Sequence, residues 1–229
     1  EGNAAQPRGL AALHDLLVRA APPDRTPLSL DAVDDRLGSS RIGFDPDALA
    51  AVVRTDRADT TYDFREPTAA DRALASELAG FLDAELDRNP AFDDALNLQF
   101  GVGSVGNAVV SALESVELGD RDVAYFGEVL QDGVLDAIDD GLLGAASATS
   151  LALSDEGQAR LFADLDRYAE AIVLRPADVS NDPGLVDSFG VVAVNGAVEV
   201  DLTGQVNSTH IGTDLVGGIG GSGDFFRNA

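Results

Sequence analysis

From residue 95 onward, short apolar runs alternate with stretches that repeat at helical spacing, and that order sets the expected fold class. Residues 96–100 (LNLQF) predict a strand, Gly101-Val102-Gly103-Ser104 a glycine turn, and 108–113 a helix. The run VAYF at 123–126 predicts a second strand ending in Gly127-Glu128, after which a helical pattern continues through Val129, Leu130, Val134, Leu135 and Ile138. Strands are expected again at 148–153 and 171–174, with a helix over 155–169 between them and a short helix over 183–189. Residues 191–194 and 197–202 are β-rich, and Asn195-Gly196 between them has the composition of a hairpin turn. This alternation predicts an α/β domain with a mostly parallel sheet covered by helices.

Before it, Thr68 reads as a helix cap: Pro67 precedes it and Asp71 stands at the third helical position. Leu74, Leu78, Phe81, Leu82 and Leu86 recur at helical spacing until Asn89-Pro90 ends the helix. Residues 1–66 differ, being rich in Pro and Asp (PPDRTP at 22–27, DP at 45–46) with short apolar runs such as 49–53. They predict an irregular connector with one brief helix and a strand or two. The change near residue 67 divides the chain into a connector, 1–66, and an α/β domain, 67–229.

With 229 residues and 45% apolar content the chain can bury a proper core. Its net charge of −25 comes from 40 acidic residues against 15 basic ones, all of them Arg. Nucleic acid is not an expected partner, because phosphate binding needs clustered Lys and Arg. Distributed Asp and Glu without Lys predict a halophilic surface, since concentrated salt screens self-repulsion. The chain shows neither an apolar run of membrane-span length nor a secretion-type start, so the expected setting is a soluble, cytoplasmic one. The lack of Cys excludes disulfides and thiolate chemistry, and two histidines, His14 and His210, are too few to suggest a metal site.

Two glycine loops and one carboxylate stand out. Gly101-Val102-Gly103 follows a strand and precedes a helix, a context in which backbone N–H groups receive an anion or polarised oxygen. With Gly106 it also fits G-x-G-x-x-G, although a dinucleotide site should open its domain. The second cluster, Gly217, Gly218, Gly220, Gly221 and Gly223, is denser than a turn requires, and flanking Ile219 and Asp224-Phe225-Phe226 argue against a linker. Glu128, at a strand end where ligands collect in open α/β sheets, is the candidate nucleophile, with loop N–H groups as oxyanion donors for acyl transfer.

The motifs LQFGVGSVGNAVVSAL (98–113), YFGEVLQDGVLD (125–136), SNDP (180–183), AVEVDLTGQVNSTH (197–210) and GIGGSGDF (218–225) occur in one order. Together with NAAQP at 3–7 and LHD at 13–15, they resemble the acetyl-CoA hydrolase and succinyl-CoA:acetate CoA-transferase family over nearly the whole chain. The resemblance implies a class I CoA-transferase fold of two similar α/β domains, this chain being the second with its connector. It implies coenzyme A, as acyl-CoA, and a small carboxylate such as acetate as substrates, no metal, and a homodimer. Glu128 matches the glutamate that attacks the thioester, and Asn181 an asparagine that holds the glutamyl adduct. Gly220 or Gly221 matches the oxyanion donor, and Val102, flanked by Gly101 and Gly103, a position at the thioester; Gly218 opens the second loop as a further CoA-binding candidate. A hydrolase of the same fold and a non-catalytic acyl-CoA-binding domain are the alternatives. One departure is Thr209-His210-Ile211-Gly212-Thr213, one residue shorter than the family pattern in a chain without Met; a missing Met at the Ile211–Gly212 junction is the expectation it raises.

Overall fold

A computed structural model describes residues 9–57, 60–218 and 220–229. NAAQP at 3–7 and Ile219 lie outside the described residues. From residue 69 the chain forms α1 (Ala69–Arg88), β1 (Ala95–Phe100), α2 (Ser104–Ala112), β2 (Asp122–Phe126), β3 (Val129–Gln131), α3 (Asp132–Asp139), β4 (Ala145–Ala148) and β5 (Ser150–Ala152). It continues through α4 (Asp155–Ala163), α5 (Leu165–Ala171), β6 (Ile172–Leu174), α6 (Ala177–Ser180), α7 (Pro183–Ser188) and β7 (Val192–Val194). The last elements are β8 (Glu199–Val200), β9 (Val206–Asn207), β10 (His210–Ile211), β11 (Asp214–Leu215) and α8 (Ser222–Phe226).

Five strands make one parallel sheet in the order β6-β4-β2-β1-β7. Its side chains alternate between two cores, as period-two geometry requires. Leu96, Leu98, Phe100, Val123, Tyr125, Ala146 and Ile172 face a core shared with α1 to α5. Ala124 and Phe126 face the opposite core, where Val179, Leu185, Val186 and Phe225 come from α6 to α8. Burial on both faces is why these strands read as continuous apolar runs.

Several boundaries differ from the sequence expectations. The 148–153 strand is broken at Thr149 into β4 and β5, and the helical pattern after Glu128 begins only at Asp132, because 129–131 pairs with β5. The 155–169 helix breaks at Asp164 (φ −141°, ψ 55°) into α4 and α5; Tyr168 of α5 donates to both Asp139 oxygens at 2.9 Å and pins that second piece on α3. Asn195-Gly196 turns no hairpin. The Asn195 side chain is taken up by a reciprocal amide pair with Gln99 of β1 (2.6 and 3.1 Å), and the hairpin forms later, β8 with β9, around Asp201 and Gly204. In α1 the buried face runs through Ala75, Ala79, Leu82 and Leu86, so Leu74 and Phe81 are left more than half exposed.

Among its described residues, the segment ahead of α1 carries two 3₁₀ turns, Leu10–Leu13 and Pro46–Ala48, and single bridges rather than strands. The apolar run at 49–53 is exposed. Yet Leu10 and Leu13 enter one core and Leu30 and Val33 the other, and Asp15 N donates to Leu174 O (2.8 Å) along the edge of β6.

The cap expected at Thr68 forms as a capping box, with Asp71 N donating to Thr68 Oγ1 and Thr68 N to Asp71 Oδ2. Arg65 grips the same carboxylate at 2.5 and 3.0 Å, and it, followed by the Thr68 donors, holds the Asp71 carboxyl well below the usual carboxylate range. A carboxyl depressed in the folded state stabilises above its unfolded value, near about 3.9, and that contribution disappears as the pH falls through the folded value. Asp71→Asn is therefore expected to melt below wild type at pH 7, with the gap narrowing below about pH 4. Calorimetry at both pH values checks it; an equal gap at each is the contrary result.

Among the described residues, no helix is long and apolar enough to cross a membrane.

Candidate active site

Strands β2 and β4 both interrupt at the same level and resume as the parallel pair β3 and β5. At this double bend Gly127 N donates to Ser147 O (3.0 Å), while Glu128 O accepts from Thr149 N (2.8 Å) and Ser150 N (3.1 Å). Glu128 therefore projects from a hydrogen-bonded kink inside a strand path. Tyr125, fully buried, braces the kink from below by donating its hydroxyl to Val129 O at 2.9 Å. Burial first, then the Glu128 charge, pushes its phenol pKa up, so the hydroxyl stays a donor. A Cβ at Gly127 would lie 2.4 Å from that hydroxyl oxygen, so the brace requires glycine there.

The Glu128 carboxylate is half-buried and meets two other segments. Asn181, just after α6, points Nδ2 at Glu128 Oε2 (3.4 Å) and at Asp224 Oδ2 (3.1 Å). Asn181 Oδ1 accepts from Ser180 Oγ (3.0 Å), and Ser180 Oγ is in close contact with the Thr149 hydroxyl. Gly221, at the start of α8, closes the other side. A Cβ there would fall 1.8 Å from Glu128 Oε2 and 2.6 Å from Asn181 Nδ2.

The first glycine loop is joined to Glu128 indirectly. Gln131, 2% exposed on β3, accepts from Gly103 N (2.7 Å) and donates to Gly101 O (3.3 Å), using both ends of its amide. Gly103 adopts φ +133°, which favours glycine, and a Cβ on Gly106 would come within 2.5 Å of Gly101 O. The loop borders a cleft of about 570 Å³ with Leu74, Leu78, Val109 and residues 194–197. This cleft opens between the carboxyl ends of β1 and β7, where the strand order reverses and α/β sheets receive ligands.

Of the residues singled out in the sequence, Glu128, Asn181 and Gly221 converge. Val102, 49% exposed, lines the β1/β7 cleft, whose walls do not include Glu128. Gly218 and Gly220 stand open, an added Cβ meeting nothing within 4 Å at either. Sequence reasoning did not single out Thr149, Ser180, Gln131 or Asp224. A buried Gln three residues after the glutamate is the one signal of this set that a strand reading of 129–131 could have caught. Among the described residues no group of three or more His, Asp or Glu side chains is placed to hold a metal ion.

The fold and site thus define an α/β domain with a carboxylate held at a strand kink beneath a glycine loop. Comparison with known proteins agrees with that fold. Residues 157–229 match the family model of the acetyl-CoA hydrolase/transferase C-terminal domain. Over the whole chain, it is 36% identical to the succinyl-CoA:acetate CoA-transferase of Clostridium kluyveri, covering 42% of that protein. It is 36% identical to the acetyl-CoA hydrolase of Eremothecium gossypii, again over the whole chain and 43% of the relative. The chain belongs to the acetyl-CoA hydrolase and CoA-transferase family. It spans less than half the length of these curated relatives. Among solved structures, a mutant of RipA superposes with a TM-score of 0.56 at 25% identity over 74% of this chain and 37% of that one. RipA from Yersinia pestis gives 0.54 at 24% identity over 74% of this chain and 35% of its own, a likeness of fold.

Proposed function

We propose that this chain carries the nucleophile of an enzyme that moves CoA between an acyl-CoA and a small carboxylate such as acetate, through a glutamyl-CoA thioester on Glu128. The observation that supports it best is the convergence of Glu128 Oε2, Asn181 Nδ2 and the bare Cα of Gly221 from three separate segments. A carboxylate is a weak nucleophile in water, and it gains from being fixed against a polarised carbonyl. The kink fixes the Glu128 backbone, Asn181 offers its oxygen one donor, and Gly221, without a side chain, lets the second loop close directly against the carboxylate.

In this reading Glu128 attacks the thioester carbonyl, the C–S bond breaks, and CoA leaves as thiolate from a mixed anhydride. The thiolate then attacks the glutamyl carbonyl, expelling the donor carboxylate and leaving glutamyl-CoA. The acceptor carboxylate attacks that thioester, and the returning thiolate takes the new acyl group and restores Glu128. Water in place of the acceptor gives acetyl-CoA hydrolysis at the same residues, a second reading supported by the equal identity to hydrolase and transferase relatives. The first glycine loop and its cleft are assigned to CoA, with Val102, Gly101 and Gly103 contributing and Gly218 of the second loop alongside them, and Gly220 or Gly221 is assigned as the oxyanion donor. We also read the protein as adapted to concentrated salt, on the strength of its net charge of −25, and as a cytoplasmic homodimer, the dimer being what the family resemblance implies; stability against potassium chloride and mass by light scattering check the salt and dimer readings.

The central test is chemical. Full-length protein is incubated with acyl-CoA and reduced with borohydride, which converts a glutamyl thioester to an alcohol. Peptide mass is expected to place the modification on Glu128, and Glu128→Ala is expected to lower turnover by about 10³-fold or more. Active protein with an unmodified Glu128 overturns the reading.

A further inference from the structure

We propose that Asp224 is a positioning residue for Glu128, acting through Asn181; this rests on the function proposed for Glu128. Asn181 Oδ1 accepts from Ser180 Oγ at 3.0 Å. A serine hydroxyl has one proton. With that proton on Asn181, the close Thr149–Ser180 contact has Thr149 as donor. The hydrogen bonds therefore run in one direction, from Thr149 to Ser180 to Asn181 Oδ1, which turns both amide hydrogens of Asn181 toward carboxylates. One goes to Asp224 Oδ2 at 3.1 Å, and the other faces Glu128 Oε2 at 3.4 Å. Thr149 also donates its backbone N–H to Glu128 O (2.8 Å), so one residue fixes both the backbone of the nucleophile and the far end of the chain that reaches its carboxylate.

Asp224 completes this arrangement. Ser180 holds the amide at its oxygen and Asp224 at one hydrogen, so the direction of the remaining N–H is set, and Glu128 receives one donor. Its other lone pairs stay free for attack, and the same N–H remains in place for the carbonyl oxygen of an acylated Glu128. Without Asp224 the amide is held at one end only and can swing both hydrogens toward Glu128. The side chain of Asp224 is exposed, and the hydrogen bond from Asn181 is the one bond described for it; its main chain makes the helix contacts, accepting from Asn228 and donating to Gly221 O. A role in fold stability therefore does not account for it.

Three full-length proteins separate the outcomes: wild type, Asp224→Ala and Asp224→Asn. Asp224→Ala is expected to lower kcat, and the rate of borohydride-trapped modification of Glu128, by about 10- to 100-fold through misplacement of the donor. KM for acyl-CoA should stay within about twofold and the melting temperature should not move, as for an exposed side chain. Asp224→Asn keeps an oxygen that accepts from Asn181, and is expected to recover to within about threefold of wild type. Wild-type kcat in Asp224→Ala overturns the proposal, and so does an Asp224→Asn protein as slow as Asp224→Ala. The side-chain amide signals of Asn181 in ¹⁵N-labelled protein give a readout independent of turnover. They should move in Asp224→Ala and stay near wild type in Asp224→Asn; unmoved signals in Asp224→Ala overturn the role of Asp224 even where Glu128 turns over. A wild-type Glu128 that is never modified sinks the proposed function instead, while the amide signals still decide the contact.

Discussion

Gly221→Ala is expected to slow formation of the Glu128 adduct by about 100-fold or more while changing stability by no more than about 0.5 kcal/mol. The methyl group would occupy the space of the carboxylate, at 1.8 Å from Glu128 Oε2 and 2.8 Å from its Cδ. What it meets are the far ends of two side chains, Glu128 first and Asn181 Nδ2 at 2.6 Å second, and the Gly221 backbone, at φ −74° and ψ −7°, suits alanine. The fold therefore absorbs the change by moving Glu128, and the misplacement falls on the reaction. Gly220→Ala is the matched control, because a Cβ there meets nothing within 4 Å. Trapping rates for both variants, with calorimetry alongside, check the prediction. A Gly221→Ala protein with wild-type trapping, or a Gly220→Ala protein equally slow, contradicts the geometry.

That difference between adjacent glycines shows where the sequence stops being informative. A glycine cluster is visible as composition, but which Cα touches Glu128 depends on a contact between distant segments. The parallel sheet was legible because strands buried on both faces are apolar runs, and 96–100 and 123–126 fell within a residue or so of β1 and β2. The break at Thr149 was not, since a kink shared by two neighbouring strands leaves no trace in either one alone. Asn195-Gly196 misled for a related reason: it has the local chemistry of a turn, but the Gln99 amide on a neighbouring strand holds Asn195 in place. In α1 Leu78, Leu82 and Leu86 pack on the core as their spacing implies, and the rest of the buried face was hidden by side-chain size. Leu74 and Phe81 carry the apolar signal, whereas close approach to α2 selects the small Ala75 and Ala79. Within the site, Glu128 could be picked out because it ends an apolar run, whereas Asp224 is one of 40 acidic residues and acquires meaning only from the amide it faces.

Arg175→Met is expected to destabilise the protein by about 3–5 kcal/mol, the usual result of leaving one partner of a buried ion pair alone. Arg175 and Asp15 have side chains 0% and 2% exposed and meet at 2.8 Å. The guanidinium also donates from Nε to Ser147 Oγ (2.8 Å) and from Nη2 to Val33 O (2.8 Å) and Asp35 O, so most of its five donors are used. Burial pulls its pKa down, and Asp15 opposes that shift. Asp15 in turn accepts from Leu37 N (2.9 Å) and Gly38 N (2.6 Å), so the pair ties the segment ahead of α1 to β4 and to the turn that leads into α6. Methionine keeps the volume and loses every one of these bonds. Lysine keeps the charge but cannot reproduce a planar fork serving a hydroxyl, a carboxylate and two carbonyls, so Arg175→Lys should recover little. Adding Asp15→Asn to Arg175→Met removes the stranded charge and is expected to restore part of the loss, giving a coupling term that a double-mutant cycle reads directly. Denaturant unfolding of wild type, Arg175→Met, Asp15→Asn, the double variant and Arg175→Lys measures the energies, and limited proteolysis should show new cleavage in residues 18–40 of Arg175→Met. An Arg175→Met protein within about 1 kcal/mol of wild type, with that segment still protected, contradicts the assignment of Arg175 as the buried tie.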